Sequence, residues 1–237
     1  MGSPPPLPLI FVLLIFPFSA PSRASVVARL PGFRGPLPFY LETGYVEVDE
    51  VNEAELFYYF IESERNPIED PLLLWLTGGP RCSAFCGLVF EVGEPVSNMI
   101  FLDSPAGSGF SFSRHAEGYD AGDRSWSKHA HTFLLKWFID HPKFLSNPLY
   151  IAGDSYAGKI VPIVTQEVLN GIEAGKQPPL NLQIYLVEEE EATKAIATDN
   201  GGQAEVKEVG DGGEEELDHH IVNAISGGYK RGRSGRR

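Results

Sequence analysis

Cysteine is nearly absent. The 237 residues include two, Cys82 and Cys86, four positions apart. That excludes a small disulfide-stapled scaffold, and no Cys-x-x-Cys or Cys/His cluster points to a metal, so neither metal nor cofactor is expected. The spacing is awkward for a bridge between the two, so each is expected as a small buried hydrophobe or as a thiol lacking its partner. An apolar run fit to span a bilayer is also missing. The most apolar stretch, residues 7–18, is short and interrupted by proline, which excludes a stable membrane span. Closed by Ser19-Ala20-Pro21-Ser22-Arg23-Ala24, it reads as the apolar region of a secretory signal cleaved near Ala20 or Ala24, so residues 1–24 are expected to be a signal peptide. Basic charge is scarce: 19 Lys and Arg against 32 Asp and Glu leave a net charge of −13. Such a balance speaks against nucleic acid and anionic membrane as partners. No Asn-x-Ser/Thr sequon occurs, so glycosylation is silent about the compartment.

The length suits one domain with a real core and an appendage. After a Pro/Gly-punctuated arm at residues 29–39, two alternating segments at 45–48 and 55–61 predict an antiparallel hairpin. Leu72-Leu73-Leu74-Trp75-Leu76 is an apolar run between Pro71 and Thr77-Gly78-Gly79-Pro80, as expected of a central strand buried on both faces. A helix is predicted over about 82–90 and a second buried strand at 98–102, ending in the glycine-rich loop Asp103-Ser104-Pro105-Ala106-Gly107-Ser108-Gly109-Phe110. Residues 125–140 place Trp126, Phe133, Leu134, Trp137 and Phe138 on one side of a helix, closed by His141-Pro142. A strand, a helix to about residue 173 and a short run at 182–187 follow. Strands alternating with helices imply a largely parallel α/β sheet with an antiparallel edge hairpin. Active sites in such sheets lie at the carboxyl ends of the strands. Residues 188–237 are acidic and then basic, with few large apolar residues; they are expected to be disordered, because they cannot bury enough apolar area to offset the entropy of ordering.

Chemistry concentrates at Gly153-Asp154-Ser155-Tyr156-Ala157-Gly158. An apolar strand, small residues two positions either side of a serine, and a following helix pattern describe a nucleophile elbow. Ser155 is thereby lifted to the top of the sheet, and the Tyr156 N–H, opening the next helix, points toward an oxyanion beside it. The alternative for such a serine is a plain helix N-cap. Gly78-Gly79-Pro80, directly after a buried strand, has the position of an oxyanion loop, since adjacent glycines leave a backbone N–H unobstructed.

Leu30-Pro31-Gly32-Phe33, Glu42-Thr43-Gly44-Tyr45, Leu74-Trp75-Leu76-Thr77-Gly78-Gly79-Pro80, Phe101-Leu102-Asp103-Ser104-Pro105 and Gly153-Asp154-Ser155-Tyr156-Ala157-Gly158 closely resemble the serine carboxypeptidase-like proteins of plants, in collinear order over about residues 29–187. The resemblance implies an α/β-hydrolase fold, here over residues 25–187 and truncated before the C-terminal strands, and a secreted or vacuolar address. It implies Ser155 as nucleophile of a Ser-Asp-His triad, an oxyanion hole from the N–H groups of Gly79 and Tyr156, and substrate contacts from Thr77, Gly78 and Asp154. Peptide-cleaving members carry an Asn and a Glu where this chain has Thr77 and Asp154. That combination is similar to the acyltransferase branch, which moves an acyl group from a glucose ester to an alcohol. A carboxypeptidase acting on peptides and an inactive fragment remain as alternatives.

Four departures from the family pattern stand out. Arg81 replaces a glycine and is expected to disturb Gly79. Cys86 replaces a serine, and Cys82 lacks its distal cysteine. A segment between Glu94 and Val96 is missing. The resemblance ends near Val187, before the triad's Asp and His; the histidines after Ser155 are His219 and His220. His115, His129, His131 and His141 precede the serine and are expected at loop, surface or helix-end positions. Without its base Ser155 would be a weak nucleophile.

Overall fold

The computed structural model describes residues 24–91, 97–189, 192–198 and 204–209, with side chains up to residue 183 except that of residue 91. Residues 1–23 of the predicted signal segment, the missing segment near Glu94 and the two C-terminal histidines lie outside the described residues. A two-residue strand, Ser25–Val26 (β1), precedes Leu41–Asp49 (β2) and Ala54–Ile61 (β3). These last two pair antiparallel, as their alternation predicts. The Asp49 carboxylate caps the turn between them by accepting from Val51 N, Asn52 N and Asn52 Nδ2.

Leu72–Leu76 (β4) and Asn98–Leu102 (β5) are buried at every position, as two-face burial in a parallel pair demands. Phe112–Ser113 (β6) adds a short pairing to β3. Asp123–Asp140 (α1) follows, then Leu149–Asp154 (β7), Ala157–Glu173 (α2), Leu182–Glu189 (β8), Ala192–Thr198 (β9) and Ala204–Val209 (β10). The sheet runs β1-β2-β3-β5-β4-β7-β8-β9-β10, with β5, β4, β7 and β8 parallel and the outer strands antiparallel. Both α1 and α2 lie on one face. Trp126, Phe133, Leu134, Trp137 and Phe138 of α1 and Ile160, Val161, Val164 and Val168 of α2 close the larger core there. Trp75, Phe101, Tyr59 and Ala84 hold the other face, with Leu37 and Phe39 of the N-terminal arm packed against them.

Three expectations change. The helix predicted over 82–90 begins later, with residues 85–86 running into the π-helical segment Gly87–Glu91. Cys82 and Cys86 are exposed, so the buried alternative for them falls. Where the composition predicts unstructured chain after residue 187, β8 continues to Glu189, and β9 and β10 pair beyond it. The exposed edge of a parallel strand offers a row of unpaired backbone groups, and pairing with it offsets poor intrinsic strand preference.

One buried charge fastens α1 to the sheet. Glu42 accepts from Tyr58 Oη at 2.6 Å, Tyr40 Oη at 2.8 Å and His141 Nε2 at 2.8 Å. His141 also reaches the Trp137 carbonyl through Nδ1 at 2.8 Å and stacks on the Trp137 indole. Burial alone would raise the Glu42 pKa, but the three hydrogen bonds outweigh it and hold the pKa at about 2.

Candidate active site

β7 and α2 meet at Ser155, an exposed residue with φ of +51°. A non-glycine residue in the left-handed region costs about 1 kcal/mol or more and persists where its surroundings over-determine it. The determinants are close contacts. A Cβ on Gly153 would stand 2.5 Å from Leu76 O and 2.7 Å from Ala157 Cβ, so strand β7 and helix α2 approach as they do because residue 153 has no side chain. Beside them sits the diglycine bend after β4. A Cβ on Gly78 would lie 2.8 Å from both Asp154 O and Tyr156 N, and 3.0 Å from Ser155 Cβ. Sequence positions 78 and 155, far apart in the chain, are therefore in van der Waals contact, with the serine side chain open to solvent.

Two amides in the adjoining residues are unspent. Neither Gly79 N–H nor Tyr156 N–H has a hydrogen-bond acceptor among the described residues. The Tyr156 N–H also stands at the start of α2, where the helix dipole adds partial positive charge. Gly78 N–H behaves differently: it donates to Asp154 Oδ1 at 3.0 Å. Asp154 is thus a brace between the bend and the elbow, and burial raises its pKa against the lowering effect of that bond. Thr77 is buried, and its Oγ1 has no hydrogen-bond partner among the described residues. The Tyr156 ring lies parallel to the Trp126 indole, and its hydroxyl donates to Asp123 Oδ1 at 3.1 Å, which raises the phenol's pKa.

Asp103, for which sequence reasoning found no role, organises the neighbouring loop. It is fully buried and accepts from Ser83 Oγ at 2.8 Å, Ala84 N at 2.7 Å and Phe110 N at 2.9 Å. Burial still lifts its pKa. The signal available beforehand was Gly109: a Cβ there would fall 1.9 Å from Asp103 Oδ2.

None of the four described histidines bonds to Ser155. His115 faces Glu53, His129 faces Asp49 at 3.8 Å, and His141 belongs to the Glu42 cluster. His131 is a core residue rather than a surface one, packed where a side chain on Gly171 would stand. Burial lowers the pKa values of His129 and His131.

A mixed, largely parallel sheet with helices packed on it and a serine held at positive φ between strand and helix is the arrangement of an α/β hydrolase. A sequence model described as serine carboxypeptidase matches residues 31–98 and 94–201. Serine carboxypeptidase-like 19 of Arabidopsis thaliana is 42% identical over 214 residues, covering 80% of this chain and 46% of that protein. Serine carboxypeptidase-like 2 of the same plant is 49% identical over 187 residues, covering 69% and 42%. The chain belongs to the serine carboxypeptidase family, and it spans less than half the length of these relatives. Among solved structures, Kex1(delta)p, a prohormone-processing carboxypeptidase from Saccharomyces cerevisiae, shares the fold with a TM-score of 0.53 at 23% identity, over 63% of this chain and 38% of that one. The family match extends to residue 201, past the point near Val187 where the resemblance was expected to end.

Proposed function

We propose that Ser155 accepts an acyl group from an activated ester, with the N–H groups of Gly79 and Tyr156 holding the oxyanion, and passes it to an alcohol. In the first step Ser155 Oγ bonds to the carbonyl carbon and its proton goes to a base. The tetrahedral oxyanion accepts the two amide protons, and the sugar leaves as an alcohol after regaining a proton. In the second step an acceptor hydroxyl attacks the acyl-serine and regenerates Ser155. The observation that carries this is the exposed Ser155 at φ +51° with unspent amides beside it. None of the four described histidines is the base; His219 and His220 lie outside the described residues.

Acyl transfer is favoured over peptide cleavage by Asp154 and Thr77. The Asp154 Oδ1 acceptor is committed to Gly78 N–H, which leaves it a poor partner for a terminal carboxylate. Thr77 stands where peptide-cleaving members of the family carry an asparagine, so the amide that would meet a terminal carboxylate is replaced by a buried hydroxyl. A glucose ester as donor and a secreted or vacuolar setting complete the reading; the latter rests on residues 7–18. The second reading, a C-terminal exopeptidase, is supported by the family's own description. Incubation with a 1-O-acyl glucose ester and an alcohol, in parallel with a blocked dipeptide, separates them. Transfer of the acyl group without amino-acid release supports the proposal. Amino-acid release with no ester transfer overturns it in favour of the exopeptidase.

A further inference from the structure

Arg81 sits immediately after the oxyanion bend, in a conformation that side chains avoid: its φ is +73°, and that of Gly79 is +118°. Two left-handed residues on either side of Pro80 turn the chain back on itself, so that Cys82 N–H donates to Gly78 O at 3.2 Å and Cys82 Sγ packs over Gly79. Glycine adopts positive φ freely, but Arg81 does not, so the turn needs an external restraint at residue 81. What holds it is the Arg81 guanidinium. Nη1 donates to Ala106 O at 3.1 Å and Nη2 to Tyr119 O at 2.8 Å. Arg81 is exposed and makes no ion pair among the described residues; these two carbonyls are the acceptors its guanidinium reaches.

The two carbonyls belong to separate segments. Ala106 is fully buried, in the loop closed by Gly107 N to Ser111 O and by the Asp103 cluster. Tyr119 ends the 3-10 turn Ala116–Tyr119. The three segments are in contact: a Cβ on Gly107 would lie 3.2 Å from the Tyr119 ring and 3.3 Å from Arg81 Nη1. A planar fork spans two fixed acceptors with defined direction, which a lysine ammonium on a flexible stem does not reproduce.

We infer that Arg81 is a positioning residue, whose guanidinium staples the bend to the β5 loop and the 3-10 turn and so fixes the aim of the Gly79 N–H at Ser155. Rather than disturbing the bend, as its size suggests from the sequence, the side chain supplies the constraint on it. The effect on rate rests on the acylation reading above; the effect on the bend does not.

The experiment compares wild type with R81A, R81K and R81A plus ethylguanidinium, using amide hydrogen exchange and the rate of Ser155 phosphonylation by a fluorophosphonate. In R81A the amides of residues 77–83 are expected to exchange about tenfold faster, with α2 unchanged. Phosphonylation falls about tenfold, short of the 10²–10³ that complete loss of an oxyanion donor costs. Ethylguanidinium restores both in part, and R81K restores neither. Exchange unchanged in residues 77–83, or raised equally throughout the domain, overturns the inference. If wild type is not phosphonylated at all, the acylation reading fails, and exchange alone still decides whether Arg81 is the staple.

Discussion

Replacing Gly153 by alanine tests the contact on which the elbow depends. The added Cβ would stand 2.5 Å from Leu76 O, 2.7 Å from Ala157 Cβ and 3.2 Å from Val161 Cγ2. The first is backbone of a fully buried central strand and the second is the first residue of α2, so neither is the far end of a flexible side chain. Relief requires β7 and α2 to separate by several tenths of an ångström at their closest point, against the core formed by Leu76, Ile151, Ala157, Ile160 and Val161. Overpacking of a tight core costs about 1–3 kcal/mol, and with backbone on one side the upper end applies, about 3 kcal/mol. At roughly 2–4 °C per kcal/mol for a domain of this size, the midpoint of thermal unfolding falls by about 6–12 °C. Gly122→Ala is the control, because a Cβ there meets nothing within 4 Å and its φ is −78°; as the N-cap of α1 it should lose no more than about 1 kcal/mol. The assay is thermal denaturation followed by circular dichroism. Equal midpoints for G153A and G122A would refute the close approach of strand and helix.

Three further outcomes follow from named contacts. The folded pKa of Glu42, about 2, lies below its ordinary value of 4.5; the stability it contributes is therefore fully present above pH 4.5 and is lost as pH falls toward 2, by about 3 kcal/mol on linkage. Urea titrations across that range should show the loss in wild type and a flatter profile in Glu42→Gln. Gly78→Ala drives a Cβ against the backbone of residues 154 and 156, so it should slow Ser155 phosphonylation by about 10²-fold or more, measured by intact mass against time. Trp137→Ala opens a cavity lined by Phe60, Phe144 and His141 and should cost about 3–5 kcal/mol in chemical denaturation.

Elements whose residues carry their own signal were legible in the chain. The five-residue run of β4 is buried throughout, and the aromatic stripe of α1 packs as its spacing predicts. The elbow could be read because its small residues, its serine and its helix are contiguous. Gly78 and Gly79 could be placed only through their position after a buried strand. Other features depend on partners distant in sequence. β1 and β6 are two residues each and exist through their pairing with β2 and β3, which no local pattern encodes. The direction of the Arg81 side chain depends on two backbone carbonyls in other loops, so size and charge suggested disturbance where the geometry gives a staple. Asp103 and Glu42 read as ordinary carboxylates until their donors are in view. The strands β9 and β10 were hidden by acidic composition, because composition reports what a segment can bury and is silent about which edge it pairs with.

The most direct test of the central claim is to locate the acyl-accepting atom. The folded protein is treated with a fluorophosphonate, digested, and mapped by mass spectrometry alongside Ser155→Ala. A single modified site at Ser155, absent from the alanine variant, is the predicted result. A folded wild-type protein that stays unmodified at Ser155, or that is modified equally in both, would contradict it.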